Sequence, residues 1–242
     1  MADQYDDLKL FVHRRFFIMR RDALIGGWLV TILIPFVLLM VSIRILITPV
    51  FPYIEYHMPN FPADIYGFTQ EDRIHWSKYA VNYLLNQEDI SYLGNLRFPD
   101  GTPLFIESEL SHMEDVKRVV QGMITALFIL IIILIAIMLW AWYKRWMNHY
   151  IYSLARGGFI TILLILGLLI GVGIGFSRLF AGFHQLFFAE GTWVFQYSDT
   201  LIRLFPMRFW QDAFLGTGVL TVIFSIGLIL INKAFSKRLS GG

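Results

Sequence analysis

The chain has 242 residues, of which 57% are hydrophobic and only 16% charged, and its mean hydropathy is +0.60. A soluble domain of this size cannot bury so much apolar surface, so the balance points to a protein of the bilayer. A net charge of only +2 argues against nucleic acid as a partner, and the lack of cysteine excludes a disulfide-stapled ectodomain, a thiol nucleophile and thiolate metal sites.

In chain order, residues 1–22 form a basic, aromatic segment whose stretch 8–21 reads as an interfacial helix resting on anionic lipid. The uncharged run 23–43 opens the first predicted span, 23–48. It is too long for a signal-peptide core and no A-x-A-like site follows it, so it reads as an anchor. Segment 49–118 begins with Pro49, Pro52, Pro59 and Pro62, which predict an extended start. Thr69 followed by Gln70, Glu71 and Asp72 predicts a helix start, with Ile74, Val81, Leu84 and Leu85 repeating up to about Asn86. Pro99, Asp100 and Gly101 predict a turn pairing the short apolar runs 93–98 and 104–106 as a hairpin. A segment this small without disulfides makes a weak core of its own, so it reads as a cap packed on the ends of the spans.

Ser108 or Ser111 is placed to cap the helix that becomes the second span, 119–143, and Ser111 with Glu114 fits a capping box. A short basic connection, 144–156, leads to the third span, 157–178, where Gly167, Gly171 and Gly175 predict a smooth face for a neighbouring helix. An aromatic-rich loop, 179–212, precedes the fourth span, 213–232, and a tail, 233–242. Four spans put both termini on one side. Lys9, Arg14, Arg15, Arg20, Arg21, Lys144, Arg145, Arg156, Lys233, Lys237 and Arg238 mark that side as cytoplasmic, while residues 49–116 hold eleven acids against Arg73, Lys78 and Arg97. The expected fold is an all-α polytopic membrane protein with four transmembrane helices and a small, mostly helical extracytoplasmic cap.

His112 lies seven residues before the uncharged run that opens at Val119, and His184 seven after the run that closes at Ser177. The helices built from those runs are joined by a short connection, so the two imidazoles should emerge at similar height on the outer face. A separation under about 10 Å would let them serve one substrate. Ser108, Glu109 and Asp115 are three or four positions from His112 and so share its helix face, where a carboxylate would fix the imidazole tautomer. Over residues 176–214, twelve of 39 residues are aromatic, against 17% over the chain, and His184, Glu190, Asp199, Arg203 and Arg208 are threaded among them. Interfacial aromatics explain part of that density but not the polar residues. Asp199 and Arg203, four apart, are either a surface helix pair or a place where Arg203 holds a phosphate or ester oxygen. His13, His57, His75 and His149 read as bystanders.

The chain has no G-x-S-x-G elbow, no H-E-x-x-H and no P-loop. Two histidines without a protein nucleophile suit a reaction whose nucleophile belongs to the substrate, and at a lipid surface the electrophile is an acyl ester. This reading calls for no cofactor or metal. A metal-dependent lipid hydrolase with His112, Glu109, Asp115 and His184 as zinc ligands stays open, as does a non-enzymatic subunit of a membrane complex.

The segments SELSHMEDVK and FHQLFFAEGTWVFQYSDTLIRLFPMRFW, each joined to its span in this order, resemble the bacterial integral membrane proteins that include the lipoprotein intramolecular transacylases. The resemblance runs over residues 24–235; the N-terminal extension and the cap before Phe98 depart from the family's pattern. It implies four transmembrane helices under an extracytoplasmic cap in the bacterial cell membrane. The implied activity moves the sn-2 acyl chain of a diacylglyceryl lipoprotein, or a related lipid, to the amino group of its N-terminal cysteine. The family's two catalytic histidines fall on His112 and His184, and its aromatic pocket on Phe188, Trp193 and Phe195.

Overall fold

The computed structural model describes residues 2–240, with the side chains of 21–171, 173 and 175–238. Eight helices carry the described residues: α1 (Ala2–Leu46), α2 (Val50–Tyr56), α3 (Gln70–Leu85), α4 (Ser91–Gly94), α5 (Glu107–Tyr143), α6 (Met147–Phe187), α7 (Thr200–Leu204) and α8 (Met207–Ser240). Four stretches are long and apolar enough to cross a membrane: Arg21–Leu46, Glu107–Tyr143, Met147–Gly171 and Met207–Arg238. The protein is therefore all-helical and membrane-integral, as composition required. The side chains of residues 8–20, on which the reading of a lipid-bound N-terminal helix rests, lie outside the described ones.

The helices run beyond the uncharged stretches that announced them. Only residues 144–146 separate α5 from α6, and α6 continues ten residues past Ser177, so much of the expected 179–212 loop is helix. Gly175, with φ −175° and ψ 74°, interrupts α6. The proline-rich start of 49–118 is helical over 50–56 rather than extended, while Pro59 and Pro62 follow outside any helix. Pro49 precedes α2 and Pro52 lies in its first turn, where the missing N–H has no helical partner to lose. α3 begins where expected, with Thr69 and Asp72 closing a reciprocal capping box. The predicted hairpin shrinks to one antiparallel bridge between Arg97 and Pro103, because the first apolar run is partly taken up by α4.

The chain divides into two compact units. The first comprises Met1–Leu39, Leu127–Ile165 and Leu220–Gly242, and its helices meet at small residues. A Cβ added at Gly157 would lie 2.7 Å from Ile34 Cβ, and one at Gly158 2.9 Å from the Ser225 carbonyl oxygen. Thr31 Oγ1 bonds to the carbonyls of Gly27 (2.9 Å) and Ser153 (3.2 Å) and accepts from Arg156 Nε at 3.0 Å. The anticipated glycine face is elsewhere: a Cβ at Gly167 or Gly171 would meet nothing within 4 Å.

The second unit comprises Met40–Ala126 and Leu166–Val219. Its core joins Phe68, Ala80, Tyr83, Leu93, Leu104 and Phe105 of the 47–106 segment to Met113 of α5 and to Leu201 and Leu204 of α7. The small segment thus completes its core with residues from distant parts of the chain, as its size demanded. Glu55 of α2 is 3% exposed, and its Oε2 has no hydrogen-bond partner. Burial first, then the adjoining Asp212 carboxyl, push Glu55 up to about 7 against the pull of Arg208, which is itself paired with Asp212.

Candidate active site

His112 lies near the start of α5 and His184 in the last turn of α6. Their rings are 6.1 Å apart between centroids and stacked at 22°, and both side chains are buried. The separation falls within the range that lets two imidazoles act on one substrate. The packing that creates it is aromatic. Phe188 meets both rings, at 4.9 Å from His112 and 5.5 Å from His184. Phe195 lies 5.4 Å from His112, and Trp193 lies 5.0 Å from His184. Edge and tilted contacts of this kind exclude water and lower the local dielectric, which strengthens every polar interaction made inside.

The protonation of His184 follows from its neighbour one turn back. Its Nδ1 is 2.9 Å from the Phe180 carbonyl, and a carbonyl only accepts, so Nδ1 carries the proton and Nε2 keeps a lone pair. Burial pushes His184 below the ordinary histidine range, and the Phe180 bond only partly opposes that shift. The ring is therefore neutral near pH 7, with a free basic nitrogen. The Phe180 ring also lies 4.1 Å from the imidazole. Phe180 was not singled out from the sequence, although its spacing of four from His184 on a helix was the signal that identifies it. Two buried polar atoms of the site, His112 Nδ1 and Trp193 Nε1, have no hydrogen-bond partner. Such atoms are uncommon in buried surroundings and mark places suited to a polar ligand.

The carboxylates beside His112 are committed elsewhere. Glu109, 1% exposed, accepts from Leu201 N at 2.6 Å and from Ile106 N at 2.9 Å. It opens α5 from its third residue, in place of the expected serine caps, and ties that helix to α7. Thr200 Oγ1 adds a 2.5 Å bond to the Leu104 carbonyl alongside. Asp115 pairs with Arg118 at 2.8 Å, and Ser108 is exposed. None of the three fixes the His112 ring, and the zinc set of His112, Glu109, Asp115 and His184 does not assemble, because its carboxylates already hold other partners.

Asp199 and Arg203 do not pair with each other. Asp199 accepts from Gln196 N at 2.8 Å. Arg203 reaches Asp64 Oδ2 from Nε and Nη2, both at 3.0 Å, and lies over the Phe68 ring at 3.6 Å. Asp64, 139 positions away, was outside any local pattern. Among the bystander histidines, His57 bonds to the Tyr53 carbonyl and His75 packs on Trp76; the side chain of His13 lies outside the described ones.

An uncharacterized protein of Aquifex aeolicus (strain VF5) is 32% identical over 214 residues, spanning 88% of this chain and 95% of that protein. The in meso structure of the membrane-integral lipoprotein intramolecular transacylase Lit from Bacillus cereus superposes with a TM-score of 0.72 at 19% identity, covering 91% of this chain and 98% of that one. A structure of the Bacillus cereus protein carrying a histidine-to-alanine substitution superposes at 0.74 with 18% identity, covering 94% and 99%. These two establish the shared fold. The sequence profile of the family described as lipoprotein intramolecular transacylase Lit matches residues 28–210, more than half of the chain, and the chain accordingly belongs to that family of membrane-integral acyl-transferring enzymes.

Proposed function

We propose that the protein moves the sn-2 acyl chain of a diacylglyceryl lipoprotein to the α-amino group of its N-terminal cysteine, with His112 and His184 acting together. The observation that carries this reading is the stacked, buried pair of imidazoles 6.1 Å apart in an aromatic enclosure, in a chain of the Lit family. His184 Nε2, with its lone pair free, takes the proton of the attacking amine. The amine nitrogen bonds to the ester carbonyl carbon, the C–O bond to the glyceryl oxygen breaks, and the imidazolium returns the proton to that oxygen. An amide and a free hydroxyl replace an ester and an amine, with no net gain or loss of atoms. His112 remains neutral beside the transient imidazolium, since two cations this close in a dry site repel. Its ring N–H supports the oxygen that becomes negative in the tetrahedral intermediate.

Confining ester and amine of one molecule in this enclosure supplies several kcal/mol of the barrier through lost freedom already met on binding. We assign the site to the outer membrane face and both termini to the cytoplasm on the positive-inside bias of the sequence. The test is purified protein in vesicles with a synthetic diacylglyceryl lipopeptide. The product is an isomer of the substrate, so fragmentation mass spectrometry should locate the acyl group on nitrogen. Release of free fatty acid with gain of one water would instead identify a hydrolase and overturn the proposal.

A further inference from the structure

The uncharged run 157–177, at about 1.5 Å per residue, already matches a hydrocarbon core of about 30 Å, and Gly175 lies near its end. Yet α6 continues to Phe187 beyond the interruption at Gly175. Residues 176–187 therefore form a second leg that has no membrane thickness left to cross if it continues along the same line. Its surface is not that of a helix standing in water. His184 is buried on one face, and Phe176, at the start of the leg, is covered by Phe214, while Phe183 (41% exposed), Leu186 (76%) and Phe187 (46%) lie open. Leu179, Phe183, Leu186 and Phe187 recur at spacings of three and four along one flank, and exposed Arg178, Gly182 and Gln185 recur along another. The loop that follows adds exposed Val194 and Tyr197, and between residues 179 and 198 the only charged side chain is Glu190.

A helix with an apolar flank, a polar flank and a third face packed on its own protein is suited to lie in the plane of the membrane interface. We propose that leg 176–187 lies there, with Leu179, Phe183, Leu186 and Phe187 against the acyl chains of the bilayer. It is then the surface across which a lipid's acyl ester reaches His184. The delivery role rests on the acyl-transfer reading; the placement of the leg does not. Because Gly175 breaks the helix between the spanning stretch and this leg, the turn from one direction to the other needs no further distortion.

The native chain has no cysteine, so single labels can be introduced cleanly. Nitroxides at Phe183→Cys, Leu186→Cys, Arg178→Cys and Gln185→Cys in vesicle-reconstituted protein would be relaxed by oxygen, which concentrates in lipid, and by a water-soluble nickel chelate. The expected pattern is oxygen-dominated relaxation at 183 and 186 and chelate-dominated relaxation at 178 and 185. Chelate-dominated relaxation at 186 overturns the placement. In the second arm, Leu186→Asp is expected to lower transfer from vesicle-embedded lipopeptide about tenfold, the effect of an unfavourable interfacial charge. Unchanged transfer overturns the delivery role. Wild-type protein with no transfer, but with the oxygen pattern intact, defeats the catalytic reading and leaves the interfacial leg standing.

Discussion

In residues 21–39, 127–165 and 220–238 the helices meet at glycines and small hydroxyls. In residues 40–126 and 166–219 they meet through aromatic rings and through a carboxylate held by backbone N–H groups. Within a bilayer, lipid tails are as apolar as leucine, so helices gain little by hiding apolar side chains and associate by close approach and hydrogen bonding instead. The second unit builds a dry enclosure, and bulky rings do that while leaving the two histidines in contact with each other. One unit is a scaffold made by removing side chains, the other a site made by adding large ones.

The sharpest way to break this contrast is at Glu109. Glu109→Ala strips the partners from Leu201 N, which is buried, and from Ile106 N, which is partly buried, and is expected to cost about 3 kcal/mol. A lowered Tm together with loss of transfer, as α5 and the loop that bears Phe188 and Phe195 come apart, is the expected outcome. Gly158→Ala acts on the scaffold: the new Cβ would meet the Ser225 carbonyl oxygen at 2.9 Å, costing about 1–3 kcal/mol of overpacking. Here Tm should fall while transfer per folded molecule stays near the wild-type value, because the histidine enclosure is untouched.

A smaller effect is expected at Glu55. Its folded value, about 7, lies above the ordinary 4.5, so the folded state holds the proton more tightly than the unfolded chain. The associated stability is full below pH 4.5 and is lost as pH rises through about 7. Glu55→Gln keeps the shape without the titration. Thermal unfolding across that window should decline for the wild type by on the order of 1 kcal/mol, after screening by Arg208 and solvent, and lose that component in the variant.

The parts legible in the sequence were those written locally. The four spans followed from uncharged runs, and the histidine pair from its equal offsets of seven residues, because a helix that leaves the membrane carries its spacing with it. The helix start at Thr69 was legible for the same reason. The interactions of Glu109 and Arg203 were not. Glu109 finds Leu201, 92 positions away, and Arg203 finds Asp64, 139 positions away, and helix-face arithmetic, which reaches only three or four positions, offered neither partner. The proline-rich start misled because proline is tolerated in the first helical turn, which is where Pro52 falls. Gly167 and Gly171 misled because small residues permit close approach without requiring a partner to be there.

In the proposed mechanism His112 and His184 form one catalytic unit. Transfer rates of His112→Ala, His184→Ala and the double variant, in reconstituted protein with a diacylglyceryl lipopeptide, test it directly. Each single substitution is expected to lower the rate about a thousandfold with Tm little changed, and the double variant to fall no further than the slower single. Wild-type transfer in either single variant, or a double variant slowed by the product of the two single effects, would contradict the pairing.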